Sequence, residues 1–383
     1  MAENKRALML ASVASMIDQF NIPNIRLLQS LGYTVDVSAD FSNPGNITVE
    51  RAQKLRKELE AEGVTVFDTP IPRSLSPKQI TEAYRQIKQQ ADNEHYRLVH
   101  CHSPIGGALT RMAFRKYRKM GTKVIYTAHG FHFYKGAPFK NWLIFYPVER
   151  VLSRFTDILI TINKEDYNRA KTTFHAKETI YVPGIGIDTA KFADSTGHGK
   201  IRKEFDIPND RVVFLSVGEL NANKNHSTAI KALSKIDCEF TYVIVGKGIL
   251  EEELRKTAKE AGIENKMIFA GFRSDVADFY KNADCFVFPS FREGLSVSLM
   301  EAMASGMSIV CSRIRGNIDL VDEGKGGYLF DPHSEKELID AVRRVLEADA
   351  SAIKKYNAEK ISGYDKRKVE SIMAGIYMSK CSV

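Results

Sequence analysis

Residues 286–306 read Phe286-Val-Phe-Pro-Ser-Phe-Arg-Glu-Gly-Leu-Ser-Val-Ser-Leu-Met-Glu-Ala-Met-Ala-Ser-Gly306. The apolar start predicts a buried strand that ends at Pro289, and Glu293-Gly294 predicts a turn. A helix is then expected to begin near Ser296–Ser298 and to end at Gly306. The free backbone N–H groups at such a helix start, together with the glycine, form an anion site suited to a diphosphate.

The rest of the chain repeats this alternation of short apolar runs and longer helical patterns. The strand-like runs are Ala7–Ala11, Thr34–Ser38, Val64–Phe67, Leu98–Cys101, Val124–Thr127, Ile158–Ile162, Ile180–Val182, Val212–Val217, Tyr242–Val245, Met267–Ala270, Cys285–Phe288, Ser308–Cys311 and Tyr328–Phe330. Strand, helix and strand in repetition predict an α/β protein with parallel sheets covered by helices on both faces. The glycine-rich segment Pro183–Gly199 is typical of a linker. We therefore predict two doubly wound domains, residues 1–185 and 190–362.

The composition excludes several classes of protein. The chain has 383 residues, 44% hydrophobic and 27% charged, which excludes collagen-like, disulfide-scaffold and disordered chains. The five cysteines are odd in number and scattered, which favours reduced thiols over a disulfide framework. Lys5-Arg6 before an apolar run resembles a short signal peptide, but a first buried strand, Ala7–Ala11, is the preferred interpretation. An uncharged apolar stretch of about 18 residues is absent, so we expect no transmembrane helix.

The positive charge is concentrated in the first half of the chain. Residues 1–183 hold 26 Lys/Arg and 17 Asp/Glu, or +9, whereas residues 184–383 hold 29 and 30, or −1. A basic run, Arg111, Arg115, Lys116, Arg118, Lys119 and Lys123, lies near the aromatic stretch Phe139–Tyr146. Cations beside apolar side chains suit an anionic membrane surface, and a solvated cationic face is an equally good interpretation. Nucleic acid is disfavoured because no recognition motif accompanies the charge.

Two glutamates flank the expected anion site. Glu293 lies in the turn and Glu301 lies about two helical turns further on. Carboxylates in such places commonly accept hydrogen bonds from sugar or ribose hydroxyls. A capping glutamate and a solvated helix glutamate are the alternative, but the pair around one strand–turn–helix unit favours ligand binding.

The spacing Glu293-(seven residues)-Glu301 resembles the E-x7-E element of the GT-B glycosyltransferases of retaining family 4. Four further segments resemble elements of that family in the same order: Tyr126-Thr-Ala-His-Gly-Phe131, Tyr181-Val-Pro-Gly-Ile-Gly-Ile-Asp188, Val217-Gly-Glu-Leu-Asn-Ala-Asn-Lys-Asn225 and Ala270-Gly-Phe-Arg273. The resemblance covers essentially the whole chain. Bacterial members that build exopolysaccharide, capsule or lipid-linked oligosaccharides are the most similar.

The resemblance implies a fold and a set of residue roles. Two Rossmann-like domains would face a central cleft, with an acceptor-binding first domain, a nucleotide-sugar-binding second domain and a C-terminal helix (within residues 364–383) that crosses back to the first. Lys224 would neutralise the donor diphosphate, Glu293 would bind donor-sugar hydroxyls, and His129 would orient the sugar. The remaining donor-binding positions would be Glu301 at the ribose, the amides of Gly294, Leu295 and Ser296, the backbone near Phe272 and Arg273 at the base, and Ser15 and Met16 near the phosphate.

Two positions depart from the family pattern. Glu219 stands where the family often has an arginine, so Arg273 and Arg292 become candidates for the second cation. The loop Ser12–Gln19 lacks the glycines of many relatives. His100, His102, His129 and His132 invite a zinc interpretation, which is disfavoured because no carboxylate or cysteine completes a ligand set. Asp-x-Asp does not occur, so a metal-bound diphosphate is not supported and we expect no metal. We also expect no cofactor.

The implied reaction is metal-independent transfer of a sugar, an N-acetylhexosamine or related hexose, from a UDP-sugar with retention of configuration. The acceptor would be a saccharide or a polyprenyl-diphosphate-linked saccharide, and the protein would lie in the cytoplasm at the inner membrane face. Two alternatives remain: a UDP-sugar 2-epimerase of the same fold, and a non-catalytic nucleotide-sugar-binding protein.

Overall fold

The computed structural model describes residues 5–74, 76–193 and 199–381, and the chain divides into two compact units. The first comprises residues 1–185 together with 369–383, and the second comprises residues 186–368. Each unit is an α/β sheet assembly. Within the described residues, no helix combines the length and the apolar character needed to cross a membrane.

The first unit is built on a parallel sheet. Its strands are β1 (Arg6–Val13), β2 (Thr34–Asp40), β3 (Thr65–Asp68), β4 (Leu98–His102), β5 (Lys123–Ala128), β6 (Ile158–Thr161) and β7 (Glu178–Tyr181), in the order β3-β2-β1-β4-β5-β6-β7. Its helices are α1 (Ala14–Phe20), α2 (Ile22–Ser30), α3 (Val49–Ala61), α4 (Pro77–Asn93), α5 (Pro104–Phe114), α6 (Phe139–Leu152) and α7 (Lys164–Thr173). Strand β1 shows why the sheet is covered on both faces. Met9 packs into one apolar core and Leu10 into another, because successive side chains of a strand point to opposite faces.

The second unit repeats the design with a six-stranded sheet among its described residues. Its strands are β8 (Val212–Val217), β9 (Phe240–Val245), β10 (Met267–Gly271), β11 (Cys285–Phe288), β12 (Ser308–Ser312) and β13 (Tyr328–Phe330), in the order β10-β9-β8-β11-β12-β13. Its helices are α8 (Thr189–Ala193), α9 (Lys200–Glu204), α10 (His226–Leu233), α11 (Glu251–Glu260), α12 (Val276–Asn282), α13 (Val297–Ala304), α14 (Asn317–Leu320), α15 (Glu335–Glu347) and α16 (Ala350–Ile361). Helix α17 (Lys366–Cys381) follows, and from Val369 onward it belongs to the first unit.

The linker predicted for Pro183–Gly199 is wrong in the part that follows Gly186. Ile187 and Phe192 are buried in the apolar core of the second unit. The Ile187 N–H donates to the Tyr364 carbonyl at 3.0 Å, and the Lys366 N–H donates to the Ile187 carbonyl at 2.8 Å. The glycine content of the segment predicted a linker, but its apolar side chains Ile187 and Phe192 pack into the core of the second unit. Residues 194–198 lie outside the described residues.

Arg111 belongs to the basic run 111–123 but does not contribute to a basic surface. Its side chain is fully buried, and its guanidinium donates two hydrogen bonds to Glu149 on α6, at 2.8 and 3.1 Å. The guanidinium also lies over the Tyr126 ring, 3.9 Å from its centroid. Arg111 therefore connects α5 to α6 through a buried ion pair, whereas Arg115, Lys116 and Lys119 remain exposed. Helix α5 ends at Phe114, and a separate 3-10 turn follows at Tyr117–Met120.

Replacing Glu149 by alanine is expected to leave the Arg111 charge buried without its partner, which costs about 3–5 kcal/mol of unfolding free energy. Urea unfolding followed by fluorescence of Trp142, the single tryptophan of the chain and a residue of α6, measures the effect on the first unit. The control is Glu58→Ala, because Glu58 pairs with Arg51 at the surface and such pairs contribute about 1 kcal/mol or less. Equal effects of the two substitutions would contradict the expectation.

Candidate active site

The topology of the second sheet brings two loops together. Strands β8 and β11 are parallel neighbours, with Phe214 beside Cys285 in register. Because parallel strands end at the same edge of the sheet, the segment after β8 (residues 218–225) lies beside the segment after β11 (residues 289–296). These two loops hold five of the eleven site residues expected from the sequence: Lys224, Glu293, Gly294, Leu295 and Ser296.

An ion pair joins the two loops. The Lys224 ammonium donates to Glu293 Oε1 at 2.7 Å and lies over the Phe288 ring, 5.0 Å from its centroid. The side chains are only 18% and 15% exposed, so the pair is largely shielded from solvent. Lys224 ends a short 3-10 turn in which the Asn221 side chain accepts its backbone N–H at 3.1 Å. Both charges are therefore held in place before any ligand binds.

Asparagines of the β8 loop reinforce the connection. The Phe291 N–H donates to the Asn223 carbonyl at 2.8 Å, and the Asn223 amide donates to the Arg292 carbonyl at 3.0 Å. The Asn225 amide donates to the carbonyl of Pro289 at 3.1 Å. Asn225 has a φ of +54°, a left-handed conformation that asparagine tolerates better than most residues. These hydrogen bonds hold the loop that carries Lys224 against the loop that carries Glu293.

The start of α13 lies where the sequence predicts an anion site. Ser296 caps the helix, and its hydroxyl accepts the Leu299 N–H at 3.3 Å. The first-turn N–H groups of a helix have no partner within the helix and carry partial positive charge. Gly294 and Leu295 immediately precede this cap, beside Glu293. The geometry is thus suited to an anionic ligand next to the Lys224–Glu293 pair.

Arg315 is a site residue that the sequence analysis missed. It follows β12, the neighbour of β11, and its Nε donates to the Glu293 carbonyl at 3.2 Å while its side chain is buried. The adjacent Gly316 has a φ of +81°, and a Cβ there would meet the Gly294 carbonyl oxygen at 2.3 Å. Arg315 thus places a third charge against the Glu293 turn. Its position three residues beyond a strand end was the available signal.

Glu301 lies on the second turn of α13 and is held by Tyr280, another residue the sequence analysis did not identify. The Tyr280 hydroxyl donates to Glu301 Oε2 at 3.0 Å. Burial raises the pKa of Glu301 above its ordinary value. A carboxylate with one oxygen fixed in this way is oriented to accept further hydroxyl donors through the other.

Other predicted positions lie apart from this cluster. Phe272 and Arg273 follow β10, which β9 separates from β8. Phe272 is 75% exposed. The Arg273 guanidinium donates to Glu204 and, at 2.8 Å, to Asp275, so it does not act as the second cation beside Lys224. Glu219 and Arg292 are exposed.

In the first unit, Ser15, Met16 and His129 follow strands β1 and β5, which flank β4. The Ser15 N–H donates to the Pro44 carbonyl at 2.9 Å, and Met16 is half-buried against the apolar core. His129 lies beside His102 at the end of β4, with 3.1 Å between His129 Nε2 and His102 Nδ1. Among the described residues, no group of three or more His, Cys, Asp or Glu side chains is arranged to hold a metal ion.

Two family models match the chain. Glycosyl transferases group 1 matches residues 198–361, and Glycosyltransferase Family 4 matches residues 25–191. EpsD of Bacillus subtilis (strain 168), whose name describes it as a glycosyltransferase, is 35% identical over 332 residues, which are 85% of this chain and 83% of EpsD. The chain belongs to glycosyltransferase family 4. The family resemblance stated from the sequence is thereby confirmed.

This family 4 glycosyltransferase is also similar to a second relative by sequence and to a solved structure by fold. UDP-Gal:alpha-D-GlcNAc-diphosphoundecaprenol alpha-1,3-galactosyltransferase of Escherichia coli is 28% identical over 279 residues, 70% of each chain. The crystal structure of Anabaena HepE in complex with UDP superposes with a TM-score of 0.77 at 19% identity, covering 98% of this chain and 100% of HepE. The α/β GT-B fold predicted from the sequence is confirmed.

The histidines of the first unit predict a dependence of stability on pH. Burial lowers the pKa of His100 to about 3 and of His129 to about 4, and it lowers the pKa of His102 well below its ordinary value. An unfolded histidine has a pKa of about 6.5, so between pH 6.5 and about 4 the unfolded chain binds more protons than the folded unit. The unfolding free energy of this unit must therefore fall as the pH falls.

We expect a loss of up to about 1.4 kcal/mol per pH unit for each histidine, measured by urea unfolding with Trp142 fluorescence at pH 6.5 and 5.0. The variant His100→Gln removes one of the three groups and should reduce the slope by about a third. A first unit that is equally stable at both pH values would contradict these assignments.

Proposed function

We propose that this glycosyltransferase transfers a sugar from a UDP-sugar, with retention of configuration, to a saccharide or polyprenyl-diphosphate-linked acceptor in bacterial cell-surface polysaccharide assembly. The observation that carries the proposal is the Lys224–Glu293 pair beside the first turn of α13. A cation and helix amides suit a pyrophosphate, and a carboxylate suits sugar hydroxyls. The three features lie within two adjoining loops.

The names of similar proteins support the choice of donor and acceptor. HepE was crystallised with UDP and also with UDP-glucose. The relative from Escherichia coli is named as using UDP-Gal and a diphosphoundecaprenol-linked acceptor. By analogy we assign a UDP-sugar as the donor, and the sugar transferred is an N-acetylhexosamine or related hexose. The acceptor is a lipid-linked saccharide or an oligosaccharide.

Each residue then has a chemical task. Lys224 has three N–H donors, so it can contact the donor diphosphate while it orients Glu293, and it stabilises the charge of the leaving group. Glu293 accepts hydrogen bonds from donor-sugar hydroxyls, and Glu301 accepts them from the ribose. The amides of Gly294, Leu295 and Ser296 contact sugar or phosphate, and the backbone at Phe272 and Arg273 contacts the base.

His129, Ser15 and Met16 complete the assignment from the first unit. His129 orients the donor sugar through a hydroxyl, and Ser15 and Met16 contact the donor phosphate or the acceptor. We assign the leaving diphosphate itself the task of helping to deprotonate the acceptor hydroxyl. The reaction as proposed needs no metal.

The activity is tested by incubating the protein with a panel of UDP-sugars, with and without lipid-linked saccharide, and measuring UDP release. Glu293→Ala should lower the rate about 100-fold or more, because it removes contacts that strengthen in the transition state. The control is Glu253→Ala on the exposed face of α11. Near-parental turnover by Glu293→Ala would remove that residue from the site. Conversion of the UDP-sugar to its epimer, or binding without turnover, would favour the isomerase or the binding protein instead.

We further propose that the first unit lies on an anionic membrane at the inner, cytoplasmic face. Helix α6 exposes an apolar face with i, i+4 spacing, formed by Phe139, Leu143, Ile144, Val148 and Val151. Two further exposed apolar residues, Met112 and Met120, are close in sequence to the exposed cations Arg115, Lys116 and Lys119. An apolar cavity of about 190 Å³ opens between α5 and α6. Apolar side chains among cations are typical of interfacial membrane binding.

Co-sedimentation with vesicles that contain anionic lipid tests this second proposal. Binding should weaken as salt rises, and the double variant Leu143→Glu/Val148→Glu should bind about tenfold more weakly or worse, because it places charge on the apolar face. Ile249→Glu, which alters an exposed isoleucine of the second unit, serves as the control. Equal binding to neutral and anionic vesicles would contradict the electrostatic part of the proposal.

A further inference from the structure

Three histidines of the first unit form one connected group at the carboxyl ends of β4 and β5. His100 is fully buried, and hydroxyls hold both of its ring nitrogens. Its Nδ1 lies 2.8 Å from the hydroxyl of Tyr377 on α17, and its Nε2 lies 2.8 Å from the hydroxyl of Thr127 on β5. The ring therefore has little freedom to rotate. His100 is therefore the fixed ring against which the other two histidines are arranged.

His102 stacks on this fixed ring. The ring centroids are 4.3 Å apart, and strand alternation places both side chains on the same face of β4. His102 is 2% exposed. Its Nδ1 lies 3.1 Å from His129 Nε2, whereas its own Nε2 is buried with no hydrogen-bond partner among the described residues. Among the described residues, His129 is thus the hydrogen-bond partner of the His102 ring.

The unpartnered nitrogen decides the direction of the hydrogen bond. Burial keeps both rings neutral, so each ring carries one proton and one of the two donates to the other. If His129 donated, the proton of His102 would lie on its buried Nε2, as an N–H without an acceptor. If His102 donates from Nδ1, only an unprotonated nitrogen remains there. Buried N–H groups without a partner are rarer than acceptors without one, so donation by His102 is favoured.

We propose that His102 is a positioning residue that holds His129 in the tautomer protonated at Nδ1, so that His129 offers a bound sugar an N–H donor. The hydrogen bond to Nε2 sets which nitrogen of His129 carries the proton, as outer partners of a functional histidine commonly do. A donor at Nδ1 fits a hydroxyl oxygen of the sugar. The role at the sugar rests on the proposed function, whereas the tautomer does not.

The tautomer can be measured without any substrate. Long-range ¹⁵N–¹H NMR of protein labelled at its nine histidines distinguishes protonated from unprotonated ring nitrogens. The spectrum of His129→Asn identifies the His129 signals by their absence. We expect His129 to carry its proton on Nδ1. A proton on Nε2 of His129 would overturn the proposal.

Two substitutions at the same position separate donation from packing. His102→Phe keeps a ring on His100 but has no nitrogen, whereas His102→Asn retains an N–H donor near the position of Nδ1. With His102→Phe we expect mixed His129 tautomers and a kcat about tenfold lower or worse with KM changed little, as for the loss of one hydrogen bond. With His102→Asn we expect the parental tautomer and a kcat within about threefold of the parent.

The transfer assay tests the proposed function, and the tautomer measurement tests the role of His102 separately. A parental protein that transfers no sugar would end the proposed function but would leave the tautomer measurement in place. Parental tautomer and parental kcat in His102→Phe would overturn the role of His102. If thermal unfolding shows that His102→Phe does not fold, the parental spectrum and His102→Asn decide the question.

Discussion

The Lys224–Glu293 ion pair is the interaction on which the functional interpretation depends. It is available only because β8 and β11 are neighbours in the sheet, which brings a lysine and a glutamate 69 residues apart within 2.7 Å. Removing two charges from water is costly, and such a pair is weak support for stability by itself. The position of the pair beside the first turn of α13 is the basis for the proposal that it binds a charged donor. Preorganised charges of this kind need little rearrangement when charge develops on a leaving group.

The two units carry different chemistry on the same architecture. The second unit concentrates anion-binding features around α13, with Lys224, Arg315 and the helix amides close to two carboxylates. The first unit carries the excess positive charge, an exposed apolar face on α6 and a group of buried neutral histidines. A donor-binding unit and an acceptor- and membrane-binding unit are the division of tasks that these features support.

Much of the fold could be predicted from the sequence because most strands coincide with short apolar runs that alternate with helical patterns. Candidate site residues could be proposed from the sequence where they are close along the chain, as in Glu293 to Ser296. Tyr280 and Arg315 could not be found in this way, because their roles depend on packing against α13 and the Glu293 turn. Arg111 was misplaced for the same reason, since its partner Glu149 lies 38 residues away. Likewise, the contact between His102 and His129 depends on the register of β4 and β5.

A crystal structure of the protein with a UDP-sugar bound would test donor binding at the Lys224–Glu293 pair. We expect the diphosphate to lie at the start of α13 with an oxygen within hydrogen-bond distance of Lys224 Nζ, and we expect Glu293 to accept a hydrogen bond from a hydroxyl of the sugar. A nucleotide sugar bound elsewhere, with the Lys224–Glu293 pair intact and no ligand against it, would show that the pair is not the donor site.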